Sequence, residues 1–210
     1  GRFIERDVLW ARHRGHPPGL SPEAAEEIEE RDFLPAALQR AVNCPTFRRG
    51  FVEDTEIYAR SLGTNGAALF RAFPLLRRIE VYPEEGARHR ELQPWANPAD
   101  KEAVAYMAGI FKCKQFARIQ RLRLPGHWMG HGNYIAGLLA ELPTASGLRE
   151  ISLMYSQIGT RGISALLTSR NLAALRSLAI WHSALFPDDI APIGEHGERL
   201  EELALTGNDL

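Results

Sequence analysis

An α/β fold assembled from short parallel strands alternating with helices is what this sequence predicts, and three observations carry the prediction. An apolar phrase recurs along the second half: Leu148, Ile151, Leu153 and Ile158, then Leu175, Leu178, Ile180 and Leu185, then Leu200, Leu203, Leu205 and Leu210. The starts lie 27 and then 25 residues apart, and a fixed period in the twenties marks stacked supersecondary units. Within each phrase, alternation such as Ile151-x-Leu153 suits a short strand with one buried face. Between phrases run amphipathic helix patterns, Ile135, Leu138, Leu139 and Leu142 in one and Ile163, Leu166 and Leu167 in another. A single strand and helix cannot cover their shared apolar face, so each unit needs neighbours.

In chain order, residues 2–14 and 21–43 read as helices. The first shows Ile4, Val8 and Ala11 at helical spacing; the second opens on Ser21-Pro22-Glu23 and is interrupted near Pro35. Its acidic run, EAAEEIEERD at 23–32, suits a solvated face rather than an acidic docking surface. Strand phrases begin weakly at Val52, Thr55 and Ile57, continue at Leu76, Ile79 and Val81, and strengthen at Ile119, Leu122 and Leu124. Strands are therefore expected near 52–57, 76–81, 119–124, 148–153, 175–180 and 200–205, on one sheet with helices outside it. The polar excursion PEEGARHRELQPWA, after Tyr82, belongs on a rim where it leaves the stack undisturbed. Asn97-Pro98 and Pro187-Asp188-Asp189 mark helix starts. The chain thus divides into a helical cap segment at 1–46 and a strand–helix array at 47–210, diverged over 47–118 and regular over 119–210.

The stretch IGTRGISALLTSRNLAALRSLAI, 158–180, resembles a leucine-rich repeat of the ribonuclease-inhibitor type, in which a glycine opens the helix and the next strand phrase follows its end. The resemblance implies a right-handed strand–helix solenoid whose parallel strands line the concave side. The asparagine that ties the turn backbone in that family is present only as Asn208; its counterparts are His127, Ser156 and Ser183. The first half, through GRFIERDVLWAR, FRRGFVEDTEI at 47–57 and FPLLRRIEV, is similar to the bacterial repeat-companion family that precedes leucine-rich repeats. That family has no established biochemical role, so the likeness implies architecture rather than activity. Its helical segment extends further upstream. With Gly1 at one end and LEELALTGNDL at the other, both ends read as cut from a longer chain.

Composition narrows the classes. At 210 residues and 45% hydrophobic, the chain can bury a substantial core. Its only cysteines, Cys44 and Cys113, form no disulfide framework and fit a reducing, cytoplasmic location. No apolar run reaches the roughly 18 residues of a membrane helix, and no signal peptide is visible. A net charge of −1 gives no general attraction to nucleic acid or anionic membrane, so neither is an expected partner.

Catalytic and metal motifs fail on spacing. His127 and His131 stand four apart, as metal ligands on one helix face would. Pro125-Gly126, Gly130 and Gly132 break that helix, and the glutamate of the zinc-hydrolase motif is missing, so no metal is expected. Ser152, Ser156 and Ser183 lack a glycine-bracketed nucleophile turn. His182 is an acid–base residue type without a partner in the pattern. The lysines around Cys113 in FKCKQF could lower a thiol pKa, but a packing role is expected. GHGN lacks the strand and helix of a phosphate loop. No catalytic residue and no cofactor is expected, and the chain reads as not an enzyme.

The strand pattern points instead to a binding face. If the phrase leucines face the core, the opposite side shows Asp54, Glu56 and Tyr58; Arg78, Glu80 and Tyr82; Arg121 and Arg123; Glu150, Ser152 and Met154; Ser177, Ala179 and Trp181; and Glu202, Ala204 and Thr206. Aromatic and arginine side chains are enriched in protein interfaces. Tyr58, Tyr82, Arg121, Arg123, Met154 and Trp181 are the candidate partner-binding residues, unless helix or loop segments cover the rings. The expected function is a noncatalytic scaffold binding a protein or peptide; the alternative is a regulatory or adaptor segment of a larger enzyme.

Overall fold

The computed structural model describes residues 38, 42–48, 51–82, 105, 109, 111, 113–125 and 131–210. The helix expected over 2–14, most of that over 21–43, the polar insertion after Tyr82, and His127 lie outside the described residues. The strands are β1 (Val42–Arg48), β2 (Phe51–Tyr58), β3 (Arg78–Tyr82), β4 (Arg121–Leu124), β5 (Glu150–Met154), β6 (Ser177–Trp181) and β7 (Glu202–Ala204). Helix α1 (Ala59–Ala72) follows β2, α2 (Gly132–Glu141) follows β4, α3 (Thr160–Thr168) follows β5 and α4 (Ala191–His196) follows β6. The strands form one open sheet in sequence order. β2 to β7 are parallel throughout, and β1 pairs antiparallel with β2.

β1 corrects the sequence reading at one point. Val42 and Asn43, expected at the end of a helix, instead open a strand that runs to Arg48. Pro45 explains the change, since it lacks the N–H a helix interior needs. A proline is tolerated at an edge strand or bulge, and the β1–β2 register shifts between Asn43 and Thr46, around it.

β2 starts at Phe51, one residue ahead of its phrase, whereas β3 to β7 begin two residues later than the apolar phrases suggest, for one recurring reason. The first apolar residue of each phrase closes the preceding tight turn. Leu76 N–H donates to Phe73 O, Ile119 to Phe116, Leu148 to Ala145, Leu175 to Leu172 and Leu200 to Gly197. Its backbone is thereby unavailable to the sheet, while Leu76, Ile119, Leu148 and Leu175 still bury their side chains. Further in, Ile79 and Val81, Leu122 and Leu124, Ile151 and Leu153, and Leu178 and Ile180 point to the same side. They meet Ile135 and Leu139 of α2 and Ile163 and Leu166 of α3 in one continuous core. Each such side chain contributes about 1.5–3 kcal/mol. Leu203 departs from the pattern: it is 44% exposed. β7 has a sheet neighbour on the β6 side only, among the described residues.

Polar side chains tie unit to unit. The start of α3 has backbone N–H groups that no intrahelical carbonyl can accept. Asn133 Oδ1, from the unit before, accepts from Gly159 N (3.1 Å) and Gly162 N (2.8 Å). Asp189 Oδ1, from the unit after, accepts from Thr160 N (3.2 Å) and Thr160 Oγ1 (3.0 Å). Glycine at 162 leaves room for this cap, because a Cβ would lie 2.6 Å from Asn133 Oδ1 and would displace it. At the other end of the helices, Ser169 Oγ and Asn171 Nδ2 donate to Ala140 O, and Arg199 Nη2 donates to Leu166 O.

The turns after β5 and β6 hold a second set of ties. Tyr155 and Gln157, then His182 and Ala184, sit in the left-handed region, with φ of 50°, 51°, 48° and 53°. Such backbone costs about 1–2 kcal/mol per non-glycine residue. Ser156 and Ser183 fill the slots between them, and Asn208, next to Gly207 with φ 73°, holds the corresponding place after β7. Ser183 Oγ accepts from Ser156 N (3.2 Å) and donates to Trp181 O (3.1 Å). Asn208 Oδ1 accepts from Ser183 N (2.9 Å) and Leu185 N (3.3 Å), and its Nδ2 donates to Ile180 O (2.8 Å) and Leu205 O (2.7 Å).

Candidate binding face

The sheet register arranges the outward side chains in rows. Asp54, Arg78, Arg121, Glu150, Ser177 and Glu202 are successive partners near the strand starts, and Glu56, Glu80, Arg123, Ser152, Ala179 and Ala204 form the next row. At the strand ends Tyr58 pairs with Tyr82, and Met154 with Trp181. Thr206 lies beyond β7, where its carbonyl accepts from His182 N–H (3.1 Å). The structure therefore brings the six candidates into two aromatic or apolar pairs, flanking the two arginines of β4.

Tyr58, Tyr82, Met154 and Trp181 are all partly exposed. The Tyr58 and Tyr82 rings have centroids 6.4 Å apart and planes tilted by 58°, within the range of favourable edge-to-face contact. Trp181 has a divided environment. Part of the side chain reaches solvent, but its Nε1 is withdrawn and has no hydrogen-bond partner among the described residues. Contact with a ligand would thus run through the ring carbons rather than the indole N–H. Ser152, which the strand pattern places on this face, is only 5% exposed, whereas Ala179 and Ala204 are partly open.

The arginines are already engaged. Arg121 Nε lies 2.5 Å from Glu150 Oε2 on the next strand, and Arg123 Nη1 lies 3.1 Å from Glu80 Oε2 on the preceding one. Tyr82 Oη donates to Glu80 Oε1 at 2.7 Å. The guanidinium side chains are 38% and 40% exposed, so each pair stabilises by only about 0.2–1 kcal/mol. Solvent-facing pairs of that strength hold the arginines in position yet can be exchanged for a partner's carboxylate. The carboxylates that orient them, Glu80 and Glu150, are site residues the sequence did not single out. Their cross-strand neighbours are the signal that could have found them.

Beside the Met154–Trp181 pair, Tyr155 stacks on His182 with centroids 5.0 Å apart and planes at 14°. A Cβ on Gly207, whose φ is 73°, would fall 2.2 Å from His182 Nδ1, so glycine lets the ring lie against the chain there. His182 is exposed and belongs to this stack. Cys113 is partly buried and free, and its Sγ lies 2.8 Å from Gln115 Oε1. His131 precedes α2 as its N-cap residue. Among the described residues, no three His, Cys, Asp or Glu side chains gather as a metal site would require, and no helix is long and apolar enough to cross a membrane.

No protein-family model matches this chain, and no curated protein or solved structure matches it significantly.

Proposed function

We propose that the chain is a noncatalytic leucine-rich-repeat scaffold: a right-handed strand–helix solenoid that receives a protein or peptide segment on its concave face. The observation that carries this reading is the unbroken register from β2 to β7, which sets Met154 beside Trp181 and Tyr58 beside Tyr82 at one end of the strands. Neighbouring strands lie about 4.8 Å apart, so one extended segment can touch both members of a pair. The free thiol of Cys113 supports a reducing, cytoplasmic setting.

Selection from a random peptide library on the full chain, followed by calorimetry on the selected sequences, tests the proposal. Trp181→Ala is expected to weaken binding by about 2 kcal/mol, as for aromatic anchors elsewhere, roughly thirtyfold in Kd. Glu141→Ala, on the exposed side of α2, should bind as the parent does. Equal affinity of parent and Trp181→Ala would move the site off this face; an unfolded Trp181→Ala would make the ring part of the core.

A further inference from the structure

The opposite end of the strands carries a charge pattern that the concave-face reading does not use. Arg77, Gln120, Arg149, Arg176 and Glu201 occupy one rung position just before β3 to β7. Gln120 N donates to Arg77 O, Arg149 N to Gln120 O, Arg176 N to Arg149 O and Glu201 N to Arg176 O, at 2.7–2.8 Å. The turn leading into β4 adds Lys114 and Arg118, both exposed. Arg77 and Arg176 fold back in the same way: Arg77 Nη1 donates to Leu76 O (3.1 Å), and Arg176 Nη1 to Leu175 O (2.8 Å). Arg149 is exposed and, among the described residues, has no hydrogen-bond or ion-pair partner for its guanidinium. Past Arg176 the sign reverses: Glu201 Oε1 lies 3.7 Å from Arg176 Nε, which leaves Arg149 with Lys114 and Arg118 as the unpaired cations of the rim among the described residues, and Glu198, Glu201 and Glu202 are all exposed.

We propose that this strand-start rim is a second docking surface, independent of the concave face, and that it takes a short acidic peptide segment. Length and sign select the class of partner. From β3 to β6 the basic band spans three strand spacings, about 14 Å, the reach of roughly four extended residues. Arginine forks match carboxylates, and Arg149 and Arg118, unpaired among the described residues, can supply them. A nucleic-acid strand would need a longer positive track, and one continuing along the rim would meet Glu201 and Glu202. Glutamates stand at both ends of the rung, Glu53 before Arg77 and Glu201 after Arg176, so the acidic residues of the segment must lie over β3 to β6, with neutral or basic residues beyond on either side.

Fluorescence anisotropy with labelled hexaglutamate and the full chain tests this. Binding should weaken steeply as salt rises, because the contacts are exposed. Arg149→Glu should weaken it by about fivefold or more, the scale of a solvent-facing pair lost and reversed. Arg161→Glu makes the same change in net charge at an exposed site on α3, away from the rim, and should leave binding within about twofold. Arg118→Glu serves as the second rim variant, with circular dichroism confirming that each variant is folded. Absence of salt-sensitive binding, or equal loss in the Arg149 and Arg161 variants, overturns the proposal. So does a single-stranded oligonucleotide that binds as tightly as hexaglutamate with the same dependence on Arg149. None of these outcomes depends on Trp181, so the two surfaces fail or stand separately.

Discussion

Asn208 offers the most direct test of how the units are joined. Its side chain makes four hydrogen bonds, accepting from Ser183 N and Leu185 N and donating to Ile180 O and Leu205 O. At about 0.5–1.5 kcal/mol net per bond, the sum is roughly 2–6 kcal/mol. The residue is only half-buried, so water replaces part of what is lost, and Asn208→Ala should cost about 2–3 kcal/mol. Asn208→Asp keeps the two acceptor contacts but sets a carboxylate against the carbonyls of Ile180 and Leu205, and should be no better than alanine near neutral pH. Ser183→Ala removes the acceptor of Ser156 N and the donor to Trp181 O, and should cost about 1 kcal/mol. Urea unfolding at unchanged slope gives the global value. Hydrogen exchange at the Ser183 and Leu185 amides reads the local one. A loss below about 0.5 kcal/mol for Asn208→Ala, with exchange at both amides unchanged, would refute the claim that this side chain holds the left-handed turn.

Two further predictions concern the core and the helix ends. Leu178 is fully buried between Ile151 and Leu203 in the sheet, and Leu178→Ala should cost about 2–5 kcal/mol by urea unfolding; a cost below about 0.5 kcal/mol would mean the strand register is wrong. The hydrogen bond from Phe186 N–H, aided by the Thr160 N–H and hydroxyl, lowers the Asp189 carboxyl below its ordinary value of 3.8. A depressed folded pKa gives stability that is present above the unfolded value and lost as pH falls through the folded one. Asp189→Ala should therefore cost about 1 kcal/mol near neutral pH, as for other helix caps, and its gap from the parent should close as pH drops below 3.8. A gap of constant size across that range would show that the carboxylate's charge contributes nothing.

The parallel sheet was legible because its signal is carried by many residues at once: a slip of one position in Leu148-x-x-Ile151-x-Leu153 would turn every apolar side chain to the wrong face. β1 was not legible. VNCPTFR has a proline near its centre and no clean alternation, and its place depends on pairing with β2 across a register shift. Strand starts were displaced because Leu76, Ile119, Leu148 and Leu175 bury their side chains yet spend their backbone on turns, and burial alone does not tell the two roles apart. At the candidate face, the rows followed from the period. The Arg121–Glu150 and Arg123–Glu80 pairs did not, since their members are separated by 29 and 43 residues and meet only once adjacent phrases are laid in register. The burial of Ser152 was not legible either, because a small side chain on an outward row says nothing of what lies above it.

The leucine period draws boundaries that the hydrogen bonds ignore. The first turn of α3 takes acceptors from Asn133 behind it and Asp189 ahead of it. A recombination event or a designer cutting at the leucines would lift out a cassette that leaves its capping groups in the flanking pieces. Such a cassette carries bare donors wherever it is grafted, and its former neighbours must find each other's helix starts across the scar. Lengthening the array should cost least when the inserted stretch brings an acceptor in the Asn133 slot together with the glycines that receive it. Heritable changes in the number of units should therefore occur in steps that copy both, and a unit with Ala in place of Gly162 should be hard to shuffle even where it can still fold in its original position.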